Sequence, residues 1–277
     1  MKAIELKKMS FSYPQQENLF TNLDFTIDEG ESLAVIGRNG SGKTTLMKLI
    51  TGILTGAVGE RFISGMDYSK ASIAEIAKSV SYVYQNPDNQ IFNRTVFDEI
   101  AFGPKNLKYD RARIEHLVTQ AIELCGLTGY EKVHPFDLPQ ATRKMITVAS
   151  AIAMDTQICI LDEPTAGQDK QGILNLERAI NYLKSNGKTV LLISHDMEFV
   201  YHNFEEAIVF KGEGQFVKEK LETLFNDEAM VKNAKIEIPF LYTLKKEHHV
   251  GSPSKSIAHI LTLIGGEADG SSIVQDG

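Results

Sequence analysis

The run Gly37-Arg38-Asn39-Gly40-Ser41-Gly42-Lys43-Thr44 fits the spacing G-x-x-x-x-G-K-[ST] at every fixed position, and few short patterns restrict a fold so tightly. Ahead of it, Ser32-Leu33-Ala34-Val35-Ile36 has the composition of a buried strand; behind it, Thr45-Leu46-Met47-Lys48-Leu49-Ile50 reads as the first turns of a helix. A strand that passes through a glycine-rich turn into a helix aims backbone N–H groups and the positive end of the helix at one point, where an anion is stabilised. Gly37, Asn39, Gly40, Ser41 and Gly42 would shape that loop around phosphate groups, and Lys43 would add a point charge. The Thr44 hydroxyl suits Mg²⁺, and Thr45 belongs to the same cradle. The stretch therefore predicts a nucleotide phosphate site within an α/β fold.

Composition narrows the surroundings of that site. The chain has 277 residues, 43% of them hydrophobic, enough for one large α/β domain with an appendage. Its net charge is −7 and no block of Lys and Arg is present, so no nucleic-acid partner is expected. No run approaches the ~20 mostly apolar residues that a membrane-spanning helix needs, and the N-terminus shows no apolar signal core. Any membrane role should then come through partners. Cys125 and Cys159 fall in an expected helix and an expected buried strand, as reduced core residues rather than a disulfide or zinc pair.

Along the chain, Ala3 to Tyr13 alternates and ends at Pro14, which places Tyr13 at a strand end. A second strand follows around Leu23 to Ile27, and a hairpin around Arg61-Phe62-Ile63. Val80 to Tyr84 is a strand candidate that delivers Gln85 to a polar turn. From Thr95 to Ala153 the apolar spacing becomes helical, predicting a helical subdomain, about residues 87–155, inserted into the sheet. Ile158 to Leu161 and Thr189 to Ile193 are apolar throughout, as parallel strands covered on both faces are, with a helix between them. A last strand pair near 207–217 leads to a charged helical region.

Asp162-Glu163 ends one of those apolar strands and His195 follows the other, at the carboxyl ends where open α/β sheets collect ligands. Asp162 is placed to hold Mg²⁺ through water, Glu163 to polarise an attacking water, and His195 to hydrogen-bond the terminal phosphate. Taken together, residues 1 to 245 resemble the ATPase subunits of ABC transporters, within them the energy-coupling factor type that powers vitamin and transition-metal importers. The subgroup likeness rests on Gln85 to Phe92, on Thr95 to Pro104, and on Ile238-Pro239-Phe240. The resemblance implies a P-loop core with a mostly parallel sheet over residues 1–218 and, over 219–277, a C-terminal dimerisation extension ending in a flexible tail. It implies ATP and Mg²⁺ as ligands, Tyr13 stacked on adenine, and Gln85 as the residue that senses both Mg²⁺ and a transmembrane partner. Gln168 and Asp169 fall on the loop that follows the catalytic strand. The implied partners are a second ATPase subunit, a transmembrane coupling subunit and a substrate-binding membrane subunit. The implied location is peripheral, on the cytoplasmic face of the membrane.

One motif departs from the family. Where it has Leu-Ser-Gly-Gly-Gln at the start of the helix that meets the other subunit's ATP, this chain has Leu138-Pro139-Gln140-Ala141-Thr142. Proline suits the first turn of a helix, but it has neither hydroxyl nor N–H, and Gln140 and Ala141 put side chains where glycines admit a phosphate. The helix is expected to form and the anion cradle to be lost. A heterodimer with a partner whose signature is intact follows as the expectation. A nucleotide-binding structural subunit without turnover, and a soluble ABC-type ATPase, are the alternatives.

Overall fold

In the computed structural model, which describes residues 1–15, 17–212 and 214–248, the alternating N-terminal segment forms β1 (Lys2–Ser12) and β2 (Asn18–Asp28). They pair antiparallel, with Ile4 opposite Ile27 and Leu6 opposite Phe25. The apolar β3 (Ser32–Gly37) runs through the glycine-rich loop into α1 (Lys43–Ile50). β4 (Val58–Ile63) pairs antiparallel with β1 and turns back on the short β5 (Met66–Asp67), the hairpin expected there. These strands make an antiparallel sheet of their own in the order β2-β1-β4-β5.

A one-turn helix, α2 (Ile73–Ile76), is closed by a reciprocal Ser72–Glu75 capping box and precedes β6 (Val80–Val83). The helical segment then supplies α3 (Val96–Asn106), α4 (Arg111–Leu124) and α5 (Gln140–Ala153), each packed on the other two. Next come β7 (Ile158–Asp162), α6 (Lys170–Ser185), β8 (Thr189–Ile193), α7 (Met197–Asn203), β9 (Glu206–Gly212) and β10 (Gln215–Lys220). The second sheet has the order β10-β9-β3-β8-β7-β6 and is parallel except at β10. Every residue of β7 and β8 is buried, which is why each reads as an unbroken apolar run.

The core joins Ile4, Leu6 and Ile27 of the first sheet to Leu33, Ile160, Leu191 and Ile208 of the second through Leu46, Leu49 and Ile50 of α1. Both expected core cysteines are buried free thiols, and burial raises the pKa of each. After β10 the chain forms α8 (Leu221–Asn226) and α9 (Glu228–Ala234), which pack on β10 and β9 respectively. The first compact unit accordingly runs to Glu237, beyond the boundary expected at residue 218, and a second begins at Ile238 with α10 (Phe240–His248). The expected flexible tail lies outside the described residues. Among the described residues no helix is long and apolar enough to cross a membrane.

At the end of β3 the chain comes too close to β9 for any side chain. Gly37 has φ +132°, and a Cβ there would stand 2.4 Å from the Phe210 carbonyl oxygen. Gly37→Ala should therefore destabilise the folded chain by about 1–3 kcal/mol or more, read as a lower urea midpoint with an unchanged slope.

Candidate functional site

The second sheet brings four chain segments to one edge, because β3, β6, β7 and β8 are parallel and release their next residues on the same side. There a cavity of about 610 Å³ is lined by Asn39, Gly40, Ser41, Gly42, Lys43, Thr44 and Thr45 from the loop and α1. Tyr13, Gln85, Asp162, Glu163 and His195 complete it. Gly37 does not line the cavity; it sits at the end of β3, against β9. Glu17, Asn18, Leu19 and Gln215 also line the cavity, and sequence alone had not picked them out.

Local geometry explains each placement. Gly42 caps α1 in the left-handed region at φ +105°, the turn that lets the loop wrap over the helix end. Lys43 is buried, and its ammonium donates to the carbonyls of Gly37 (2.6 Å) and Arg38 (2.9 Å). Burial lowers its pKa, while the nearby carboxylates of Glu163 and Asp162 favour its charge. Tyr13 is half-buried just past β1, with its hydroxyl 2.9 Å from Thr45 Oγ1 and its ring edge-on to Phe11.

Asp162 and Glu163 meet the same burial with different partners. Burial raises the Asp162 pKa, opposed by hydrogen bonds from the hydroxyls of Tyr82 (2.7 Å) and Thr44 and by the charges of Lys48 and Lys43. Glu163 adopts φ +50°, unusual for a side chain of its size. Its carboxylate is pushed up to about 7, chiefly by burial and secondarily by Asp162, against the lowering effect of the His195 N–H and of Lys43 and Lys144. His195 Nε2 is 3.4 Å from Glu163 Oε1 without the alignment of a hydrogen bond, so that buried oxygen has no donor. Burial and Lys43 lower the His195 pKa, keeping the imidazole neutral at pH 7.

The arrangement fits a phosphate and a hard cation. Ser41 Oγ is buried in the cavity wall with no hydrogen-bond partner, the kind of orphan that a phosphate oxygen satisfies. Among the described residues no group of three or more His, Cys, Asp or Glu makes a protein-only metal cage. Thr44, Asp162 and Gln85 line the same cavity, and their oxygens would suit Mg²⁺, which takes few protein donors when substrate phosphates complete its shell.

Two residues missed in the sequence belong to this neighbourhood. Tyr82, on β6, holds Asp162; its position three residues before Gln85 was the available signal. Lys144, a lysine on the apolar face of α5, is only 4% exposed and donates to the carbonyls of Glu163 (2.8 Å) and Ala166 (3.0 Å). A charged residue at a buried helical position is legible from periodicity alone. Around the altered stretch, Pro139 caps α5 without a side-chain hydrogen bond, Gln140 is exposed at the helix start, and Gln168, on the loop after β7, donates to the Ala141 carbonyl at 3.0 Å. Gln85 is exposed and also lines a second cavity of about 410 Å³ with Gln140, Ala141 and Lys144.

Residues 20–166 match the family described as ABC transporter. A putative ABC transporter ATP-binding protein of Pyrococcus furiosus is 35% identical over 95% of this chain and 99% of its own length. The energy-coupling factor transporter ATP-binding protein EcfA of Methanothermobacter thermautotrophicus is 37% identical over 85% of this chain and 76% of its own. The solved structure of cbiO1 from Clostridium perfringens, part of an ABC transporter complex, superposes with a TM-score of 0.71 at 24% identity. That match covers 88% of this chain and 99% of cbiO1.

The raised pKa of Glu163 predicts a stability effect separable from turnover. Between its ordinary value of 4.5 and about 7 the folded state holds a proton that the unfolded state releases, so stability falls as pH rises through that window. Removing the charge with Glu163→Gln should raise the stability of the isolated chain at pH 8 by about 1–3 kcal/mol, with the gain gone by pH 4. Thermal unfolding of both proteins across pH measures it.

Proposed function

The chain belongs to the ABC transporter family of ATP-binding subunits, and from that premise we propose that it hydrolyses ATP within an energy-coupling factor importer. It would work as one half of a head-to-tail heterodimer seated peripherally on a membrane partner. The observation that carries this reading is the convergence of Lys43, Asp162, Glu163, His195 and Gln85 on one cavity at the ends of parallel strands. Two relatives at 33% and 37% identity carry energy-coupling factor names, which supports the subgroup.

In this reading Lys43, fixed by two loop carbonyls, presents its charge to the β- and γ-phosphates, and the loop N–H groups and Ser41 hydroxyl take the remaining oxygens. Mg²⁺ held by Thr44, Asp162 and Gln85 would offset phosphate charge. Glu163, buried and basic enough to take a proton near neutrality, accepts one from the attacking water. His195, neutral and half-exposed beside it, donates a hydrogen bond toward the terminal phosphate. Tyr13, in the cavity wall, would stack on the adenine.

Membrane coupling is assigned to the segment after Gln85. The buried Glu99 carboxylate accepts from the N–H groups of Phe92 (3.1 Å) and Asn93 (2.8 Å) and from the Asn93 side chain (2.9 Å). This presents Phe92, 62% exposed, edge-on to Phe102, 42% exposed, at 4.7 Å. An exposed aromatic on a pinned loop, set against a second on α3, suits a hydrophobic partner. Cysteines at Arg94 or Asp98 should crosslink to the transmembrane subunit in the purified assembly; crosslinks only from Met66→Cys, on the antiparallel sheet, would place docking elsewhere.

The altered Leu138 to Thr142 stretch makes the proposed dimer asymmetric. This chain degrades the site built on its partner's phosphate loop, while its own site receives whatever signature the partner brings. Losing two or three charge-assisted contacts at ~1.5–3 kcal/mol each slows a site by at least about a hundredfold. In the assembled complex Glu163→Gln should abolish nearly all turnover while retaining ATP, whereas the equivalent change in the partner should have little effect. Steady-state ATPase rates of the two mutant complexes check this, and equal losses contradict it.

A further inference from the structure

Lys144 is the one buried cation of α5, and nothing in the catalytic reading uses it. Among the described residues its ammonium forms no salt bridge, although Glu163 and Asp162 are near enough to favour its charge; it donates to the main-chain carbonyls of Glu163 (2.8 Å) and Ala166 (3.0 Å). Those carbonyls converge because the chain reverses there, with the Ala166 N–H returning to Glu163 O at 3.4 Å. A lysine this deep carries a desolvation penalty, and burial does lower its pKa. A methionine would fill the space without that penalty, so the position calls for a role beyond packing.

The turn explains what that role is. Glu163 is held at φ +50°, a conformation that survives in a non-glycine residue only when its surroundings enforce it. Its N–H is bonded to the Ile193 carbonyl of β8 at 2.9 Å, and its own carbonyl to Lys144. With both backbone groups fixed, the carboxylate is delivered to His195 and the cavity. Gln168, further along the same loop, reaches back to Ala141 of α5. The first turns of α5, which carry the altered signature stretch, are thus tied to the catalytic turn within one chain.

We infer that Lys144 is a positioning residue for the reaction: it fixes the Glu163 backbone and couples the placement of α5 to that of the catalytic carboxylate. This rests on the reading of Glu163 as the base. A shift of α5 on closure of the dimer or on docking to the membrane partner would then be felt at Glu163 directly, through the Lys144 hydrogen bond to its carbonyl, and at the turn beyond it through the bond to Ala166.

The test uses the complex assembled with the partner ATPase. Lys144→Met should lower kcat by about ten- to a hundredfold, the scale of a misplaced catalytic group, with the KM for ATP within about twofold of wild type. Lys144→Arg, whose guanidinium can still span two carbonyls, should recover most of kcat. In a Glu163→Gln background, single-turnover rates should show no further loss from Lys144→Met, because both changes act on one step. Should the Met variant not fold, Lys144→Gln, which keeps a donor without the charge, is judged on the same criteria. Wild-type kcat in the Lys144 variant, a loss that appears in KM, or an additive loss in the Glu163→Gln background would overturn the inference. Wild-type turnover by Glu163→Gln itself would instead overturn the assignment of the base.

Discussion

Three ionisable side chains, Lys43, Asp162 and Glu163, are buried together at the carboxyl ends of parallel strands, and charge held that far from water has to be balanced locally. The rest of the site follows from that requirement. Lys43 is turned onto two carbonyls, Asp162 takes hydroxyl donors from Tyr82 and Thr44, and Glu163 is left basic by burial, which its weak partners do not offset. A phosphate-rich ligand is the natural complement to such a cavity, since it brings negative charge to the lysine and the helix end together.

The sheet order turns this local balance into a machine with several inputs. β3 is central, so the phosphate loop is flanked by β9 on one side and β8 on the other, while β7 and β6 bring the acids and Gln85 from farther along the same edge. Gln85 lines both cavities, and α5 reaches from its Leu138 to Thr142 end to the Glu163 turn through Lys144. Arg143, next to it, pairs with Asp88 in the turn after Gln85 at 2.9 Å. Each of these ties is between segments that meet a different body in the proposed assembly, which is how events at the membrane or the dimer face would reach the carboxylate.

Much of this was legible in the sequence where the cause is local. The phosphate loop declares itself because its residues are contiguous and each has a steric or electrostatic duty; β7 and β8 declare themselves by apolar runs that only two-sided burial explains. Partition of the strands into two sheets was not legible, since pairing β1 with β4 joins residues as far apart in the chain as Ile4 and Ile63. Nor was the extension of the first compact unit to Glu237, because α8 and α9 are short, charged segments whose anchoring on β10 and β9 leaves only a few buried residues as a trace. Tyr82 and Lys144 were missed for a related reason: a residue type gives its burial away by periodicity, whereas its partner is set by the fold.

In the proposed dimer this chain carries a complete hydrolytic half-site and lacks the means to complete its own copy. The direct test is the steady-state ATPase rate of the purified chain alone, at concentrations high enough to self-associate, against the same chain mixed with a partner subunit bearing Leu-Ser-Gly-Gly-Gln. An asymmetric dimer requires a rate at least about a hundredfold lower for the chain alone, reflecting several kcal/mol of missing transition-state contacts. Equal rates in the two preparations would contradict it.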